Sequence, residues 1–184
     1  MRRSLVPLFV ALIVPVTACQ EETSTSMVDD NLRRVQAEGI LYGVKSFLAT
    51  NGIRAGVVFA DSAYQFPDSS QTRLYVMEMT LYHEDGRDRA RIVADSAILH
   101  QRTEELTAWG NVVARVLDEG MTIEGPELHY DPSASQIWSD SATTITQADG
   151  STTRGTSFRS DLTFQNWELQ NPVGVIPTEE GTGN

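Results

Sequence analysis

The sequence predicts an all-β fold, and three observations support this prediction. Apolar and polar residues alternate with a period of two in segments such as Thr72–His83, which is the pattern of a strand with one buried face. No sustained 3.6-residue pattern with helix caps occurs after Glu38. Turn signals such as Asn51-Gly52 and Asp85-Gly86 separate the alternating segments. About eight to ten short strands are expected, and these can close as a sandwich, a barrel or an open rolled sheet.

Each predicted strand ends at a turn or a breaker. Pro67-Asp68 stops the second strand, Asp131-Pro132 stops the sixth, and Asp149-Gly150 indicates a late hairpin. Gly110 lies inside the fifth strand, where a glycine often marks a bulge or a close backbone approach. The predicted strands are Tyr42–Ala49, Arg54–Phe66, Thr72–His83, Arg87–Leu99, Leu106–Leu117, Met121–Tyr130, Gln136–Gln147, Thr152–Thr163 and Phe164–Leu169.

A repeat of about 30 residues organises the middle of the chain. One copy contains Ala94-Asp95-Ser96-Ala97 and then Leu106–Val113; the next contains Ile123–Tyr130 and then Ile137–Ala142. A weaker copy, Ala60-Asp61-Ser62-Ala63, precedes them. A fixed period of this length is typical of stacked units that cannot bury their apolar faces alone. Each unit is predicted to be a pair of strands joined by a polar turn.

The first residues predict a secretory signal peptide over residues 1–18. Two arginines precede the apolar run Leu5–Ala18, which at 14 residues is shorter than the about 20 residues that span a bilayer. Val16-Thr17-Ala18-Cys19 resembles the bacterial lipobox, so Cys19 is the predicted lipid-attachment site. The alternative is an ordinary signal peptide followed by a chance cysteine. Cys19 is the only cysteine, which excludes an intrachain disulfide.

The remaining chain divides into three predicted segments: a lipidated tether over 19–38, a β domain over 39–171 and a disordered tail over 172–184. Removal of residues 1–18 leaves twelve basic and 25 acidic residues, a net charge of −13. So acidic a surface argues against nucleic acid as a partner, since nucleic acids attract lysine and arginine. It also argues against binding to anionic lipid headgroups without a covalent anchor.

One face of the predicted strands is apolar and is the candidate ligand-binding surface. Two interpretations stay open at this point. The side chains could fill a dry core, or two sheets could splay and leave a slot for acyl chains, with small residues such as Ala94 and Ala108 leaving room. The residues of this face are Phe66, Met77, Met79, Leu81, Ile92, Ile98, Leu106, Val112, Ile123, Leu128 and Tyr130.

The sequence has no motif that indicates an enzyme or a cofactor site. It lacks a G-x-S-x-G elbow, an H-E-x-x-H motif, a glycine-rich phosphate loop and a Cys–His pair. His83 stands beside Glu84 and Asp85, which suggests a metal, but such residues at strand ends are usually solvated turns. Asp61, Asp95 and Asp140 recur at matched repeat positions. A carboxylate cluster is one interpretation, and periodic surface acids are the preferred one. We therefore expect no catalysis, no metal and no cofactor.

The chain resembles the LptC family, the periplasmic part of the lipopolysaccharide-export bridge. The resemblance lies in A-D-x-A at Ala94–Ala97, L-x-x-x-G-N-V at Leu106–Val112, the segment Ile123–Tyr130 and the glycine segment Gly155–Phe158. It implies an OstA-like β-jellyroll, a rolled antiparallel sandwich whose open apolar groove holds acyl chains. The relative LptA shares this fold. The resemblance covers about Tyr42–Leu169 of the chain.

The resemblance also implies partners. Lipopolysaccharide would pass from an inner-membrane ABC transporter to an LptA-like protein that pairs with an edge strand of this domain. Gly155 falls where the family often has a glycine before its last strands, which implies a docking role for that region. Familiar members have an N-terminal transmembrane helix, whereas here a lipidated Cys19 is predicted. The family role implies the inner membrane, while Gln20 after the cysteine favours the outer membrane.

Three functions remain at this stage. The first is a non-enzymatic lipopolysaccharide-transport subunit that holds acyl chains in a β-groove. The second is a structural or assembly lipoprotein that binds partners by its edge strands and has a filled core. A periplasmic hydrolase is a third, and no motif supports it.

Overall fold

A computed structural model describes residues 39–50, 52–66 and 70–175, and within these ranges the chain forms twelve β-strands and no helix. The predicted signal peptide, the lipid attachment at Cys19 and the tether lie outside the described residues. The strands are β1 (Gly39–Thr50), β2 (Ile53–Phe66), β3 (Gln71–Tyr82), β4 (Asp88–His100), β5 (Leu106–Val116), β6 (Met121–Asp131), β7 (Gln136–Ser139), β8 (Thr143–Thr146), β9 (Thr152–Gly155), β10 (Ser157–Asp161), β11 (Trp167–Gln170) and β12 (Val173–Val175).

All pairings are antiparallel, and those from β1 to β7 follow the order of the chain. Strands β1 to β6 form a meander, and β6 then pairs with two strands, β7 near its end and β8 near its start. From β7 the sheet continues to β10 and β11; from β8 it continues to β9 and β12. The predicted all-β fold with a rolled antiparallel sheet is therefore confirmed.

Pairing is interrupted along one row that crosses β1 to β6. The row contains Gly43, Asp61, Val76, Asp95, Gly110-Asn111 and Pro126. Its backbone is unusual, since Val76, Gly110 and Asn111 have φ angles of 51°, 76° and 46°, and a β-branched residue such as valine rarely adopts a positive φ. Gly110 and Asn111 together oppose Pro126, which is the arrangement of a β-bulge. We call this row the fold line.

The fold line explains why twelve strands form where eight to ten were expected. The predicted strand Gln136–Gln147 is broken at residues 140–142 into β7 and β8, and the predicted strand Thr152–Thr163 is broken at Thr156 into β9 and β10. Both breaks lie where the chain crosses the fold line. The predicted tail also begins too early, because Val173–Val175 forms β12 against β9.

The sheet thus has two layers, which meet at the fold line. The β7 layer contains β7, β10, β11 and the halves of β1–β6 that lie on their side of the line. The β8 layer contains β8, β9, β12 and the other halves. The inner faces of both layers are buried and form one apolar cluster that includes Leu48, Met79, Ile92, Tyr130 and Phe158, so the layers pack face to face.

The alternation of inward and outward residues changes phase at the fold line. On β4 the buried positions are Ala90, Ile92 and Ala94 before the line, and Ala97 and Leu99 after it. A phase change turns the following residues to the opposite face, as a register slip of one residue does. A period-two pattern read from sequence alone continues through the line without this change.

Two predicted inner-face residues are placed differently by the structure. Ile98 is half-buried on the outer face, because the phase change on β4 turns Leu99 inward instead. Phe66 is also half-buried; it lies after the line on β2 and stacks against Arg73 at 5.9 Å. The expectation that these two side chains lie on the buried inner face is therefore wrong.

The Asp95 side chain explains why Gly110 and Asn111 follow in the next strand. Asn111 Nδ2 donates a hydrogen bond to Asp95 Oδ2 at 2.8 Å. A Cβ atom on Gly110 would lie only 2.6 Å from the same oxygen. The aspartate of A-D-x-A and the glycine and asparagine of G-N are thus in contact with each other along the fold line.

Gly110→Ala is expected to lower the free energy of unfolding by about 3 kcal/mol, because it combines a positive φ with a steric clash. Gly86→Ala is the matched control, since Gly86 has a φ of 85° and no atom within 4 Å of an added Cβ. This control is expected to cost about 1 kcal/mol. Urea unfolding followed by tryptophan fluorescence measures both. Equal losses would mean that the Asp95 contact does not shape the fold line.

Candidate functional site

The predicted ligand-binding residues, apart from Phe66 and Ile98, lie together on the inner faces of the two layers. Met77, Met79, Leu81, Ile92, Val112 and Ile123 belong to the β8 layer; Leu106, Leu128 and Tyr130 belong to the β7 layer. None of these nine side chains is more than 4% exposed. The interior is apolar as expected, and in this structure its side chains pack against one another.

A cavity of about 320 Å³ opens between the layers, at the strand ends opposite the fold line. Ile53, Leu81 and Arg89 of the β8 layer line it together with Tyr130, Ser135 and Leu162 of the β7 layer. We call this cavity the mouth. Leu81 and Tyr130 of the apolar cluster line it, so the interior meets an open cavity here.

Polar contacts hold the two layers together beside the mouth. Arg89 Nη1 donates to the carbonyl oxygen of Leu162 at 3.0 Å, and the amide of Ala49 donates to Glu104 Oε2 at 2.8 Å. Each contact joins a strand of the β8 layer to a turn of the β7 layer. Exposed or half-buried hydrogen bonds of this kind contribute only about 1 kcal/mol each, so they restrain the mouth weakly.

The Arg89 guanidinium is oriented by a chain of side chains. Its Nη2 lies 3.3 Å from His83 Nδ1, and His83 Nε2 lies 2.6 Å from Asp118 Oδ2. An arginine can only donate, so His83 Nδ1 is the acceptor in this contact. His83 is thus part of the mouth. Among the described residues no group of three or more His, Cys, Asp or Glu side chains could hold a metal.

Tyr130 places a hydroxyl group inside the mouth. The residue is 2% exposed, and its hydroxyl has no hydrogen-bond partner within the described ranges. Burial, with smaller contributions from Glu104 and Asp131, raises the pKa of Tyr130 to about 12. The phenol therefore keeps its proton at neutral pH and acts as a donor. Sequence reasoning named Tyr130 only as an apolar lining residue, because the pattern does not show where its hydroxyl points.

The outer face has a second, wider depression of about 590 Å³ along the fold line. Asp61, Asp95 and Asn111 line it beside the apolar side chains of Phe59 and Val76. Asp95 is engaged by Asn111. The interpretation of Asp61 and Asp95 as outward-facing acids agrees with their exposed positions.

The two ends of the sheet differ in the edges that they present. β1 has twelve residues and pairs only with β2 within the described chain, so its other side is unpaired. It exposes Leu41, Tyr42 and Phe47. At the other end the edges are the short strands β11 and β12. A long exposed edge strand is a template for pairing with another chain.

Gly155, the predicted docking residue, is buried at the end of β9. An added Cβ would lie 2.8 Å from the Gln170 carbonyl oxygen and 2.9 Å from Leu169 Cβ. The glycine thus allows the corner between β9 and β10 to approach β11. Its neighbours Arg154 and Thr156 are exposed, so a partner at this corner would contact them first.

The family described as "Lipopolysaccharide-assembly, LptC-related" matches residues 8–176. The chain belongs to the LptC-related family. The predicted resemblance is thereby confirmed, and it places the chain among the non-enzymatic, periplasmic components of lipopolysaccharide transport. No curated protein matches the chain in sequence.

A solved structure has a similar fold. It is the crystal structure of LptH from Pseudomonas aeruginosa, described as the LptA-homologous periplasmic component of the lipopolysaccharide transport device. It superposes with a TM-score of 0.54 at 13% identity, over 67% of this chain and 95% of that one. No helix within the described residues of this LptC-related chain is long and apolar enough to cross a membrane.

Proposed function

We propose that this LptC-related protein holds the acyl chains of lipopolysaccharide between its two layers and passes the lipid from an inner-membrane ABC transporter to an LptA-like bridge. The observation that supports this is the continuous apolar inner face, which reaches the solvent at the mouth. Met79 and Ile92 lie at its centre, each 0% exposed. Acyl chains could replace their contacts with the opposite layer without exposing apolar surface to water.

The packed interior sets one requirement on this proposal: the layers must move apart at the mouth before lipid can occupy the space between them. The contacts of Arg89 and Glu104 there are few and weakly stabilising, whereas the fold line is covalently continuous through β1–β6. Opening at the mouth with bending at the fold line is therefore the movement that costs least.

The packed interior also favours a second candidate, an assembly lipoprotein that only binds partners by its edge strands. In that case the buried side chains are a permanent core, and β1 is the functional element. The two functions differ in whether lipid ever contacts an inner-face side chain.

Photo-crosslinking in cells tests the difference. A photo-reactive residue at Met79, on the inner face of β3, is expected to capture lipopolysaccharide. One at Glu78, the exposed neighbour on the same strand, is the matched control and is expected to capture none. Failure of capture at Met79 and at Ile123, in protein that expresses and folds normally, would favour the assembly function.

The docking role of the Gly155 region remains part of the proposal, and its test must avoid the glycine itself. Gly155→Arg would collide with Leu169 and unfold the corner, so loss of activity would not report on docking. A photo-reactive residue at the exposed Arg154 is expected to capture a neighbouring transport component. One at the exposed Gln147, in the β8–β9 turn, is the control. Equal capture at both positions would remove the docking role.

Cys19 completes the proposal as the lipid-attachment site that holds the domain at the inner membrane. The transporter, which hydrolyses ATP, and the LptA-like bridge would then be separate proteins, and lipopolysaccharide would be the cargo. A change of Cys19→Ser is expected to shift the protein from the membrane to the soluble fraction. Unchanged fractionation would indicate a different anchor.

A further inference from the structure

Two buried hydrogen-bond donors in the mouth have no acceptor among the described residues. They are the hydroxyl of Tyr130 and Nε of Arg89, and both side chains line the same cavity of about 320 Å³. His83 Nε2 in the same cavity also makes no hydrogen bond, but it has a carboxylate oxygen of Asp118 at 2.6 Å. Most buried polar groups in folded proteins are hydrogen-bonded. Two unpaired donors on one cavity therefore indicate that a molecule with acceptor oxygens binds there.

The charges around the cavity indicate which acceptor fits. Arg54 also lines the mouth; its guanidinium lies 4.5 Å over the ring of Phe47, and it has no carboxylate partner within the described ranges. Glu84 is the one acid among the lining residues, and it is exposed. Arginine binds oxyanions through parallel N–H groups, and its interaction with phosphate is among the stronger charge-assisted hydrogen bonds.

The orientation of Arg89 also suits this role. Its two Nη atoms are already engaged, by the Leu162 carbonyl and by His83. These bonds fix the guanidinium plane. Nε is left as the free donor, so no reorganisation of the side chain is needed when an acceptor arrives.

We propose that the mouth binds the phosphate group of an amphiphile whose acyl chains lie between the two layers, with Tyr130 and Arg89 donating to the phosphate oxygens and Arg54 adding positive charge at the rim. This proposal rests on the proposed function, because it places the polar head of the same lipid. Inorganic phosphate has the same chemistry as the head group, so the experiment must separate the two sources.

The test compares Tyr130→Phe and Arg89→Lys with the control Arg115→Lys, which changes an exposed arginine of β5 away from the mouth. The full chain is titrated with lipopolysaccharide, with enzymatically dephosphorylated lipopolysaccharide and with inorganic phosphate. Tyr130→Phe is expected to weaken binding of the phosphorylated lipid about tenfold, the effect of one hydrogen bond to a charged group. Binding of the dephosphorylated lipid is expected to stay the same, and the control is expected to bind both lipids normally.

Stability of the unliganded protein separates a binding role from a structural one. Removal of an unpaired buried hydroxyl is expected to leave the urea midpoint of Tyr130→Phe unchanged or higher. A lower midpoint, with equal weakening for both lipids, would show that the hydroxyl holds only internal water and would overturn the proposal.

The remaining outcomes also decide. Unchanged lipid binding in Tyr130→Phe and Arg89→Lys, while Met79 still captures lipid, would overturn the phosphate site and leave the proposed function intact. Binding of inorganic phosphate that depends on Tyr130, in a protein that binds no lipid, would overturn the amphiphile and the proposed function together, and would leave a site for free phosphate.

Discussion

Linking the two layers across the mouth is expected to abolish lipopolysaccharide binding. Ala49 and Glu104 lie on opposite layers and are already joined by a hydrogen bond of 2.8 Å. In a chain with Cys19→Ser, Ala49→Cys and Glu104→Cys, a short bismaleimide would join the only two thiols. If the layers must part to admit acyl chains, the affinity of the cross-linked protein should fall at least tenfold, while the same variant without cross-linker binds normally.

The control places the same cross-link within one layer. Arg115 and Thr122 are paired on adjacent strands of the β8 layer, so a link between cysteines at these positions does not oppose parting of the layers. Binding to this variant is expected to be unaffected. If the cross-link between Ala49 and Glu104 leaves lipid binding intact, acyl chains do not enter through the mouth.

A carboxylate at Ile92 is expected to unfold the protein, whereas one at Ile98 on the same strand is expected to be tolerated. Ile92 is 0% exposed and belongs to the apolar core cluster. An unpaired buried charge costs about 3–5 kcal/mol, a large share of the about 5–15 kcal/mol that holds a typical domain folded. Ile98→Asp should cost about 1 kcal/mol, since Ile98 is half-buried on the outer face.

Circular dichroism and urea unfolding of the two variants measure this difference. A strand that alternated without interruption would turn both residues inward, because they are six positions apart, and would make both variants equally damaging. Equal losses would therefore contradict the phase change that the structure shows at Asp95.

The sequence predicted the strands well and the bends poorly, and the reason is local. Alternation and turn residues such as Asp85-Gly86 depend on neighbours in the chain, so the boundaries of β2 to β6 were predicted to within one residue, while β1 begins three residues before the predicted Tyr42. The fold line depends on contacts between strands. The steric clash that requires a glycine at position 110 is with Asp95, which is fifteen residues away in sequence. The positive φ of Val76 cannot be predicted from the alternation of apolar and polar residues.

The candidate site was predicted in the same uneven way. Nine of the eleven apolar residues lie on the inner face, because burial follows from apolar character and, within each layer, from the alternation along the strand. Phe66 and Ile98 were misplaced, since both follow a phase change. Arg89 and His83 were missed as parts of the mouth; the only signal available was their position at strand ends, and the layers that meet there are distant in sequence.

The most direct test of the account is the distance between the two layers when lipid binds. Spin labels on cysteines at Ala49 and Glu104, in the Cys19→Ser chain, report this distance by pulsed electron paramagnetic resonance. Addition of lipopolysaccharide is predicted to lengthen it by several ångströms, while labels at Arg115 and Thr122 stay at the same distance. An unchanged distance at the mouth in protein with lipid bound would contradict the claim that the layers part to hold acyl chains.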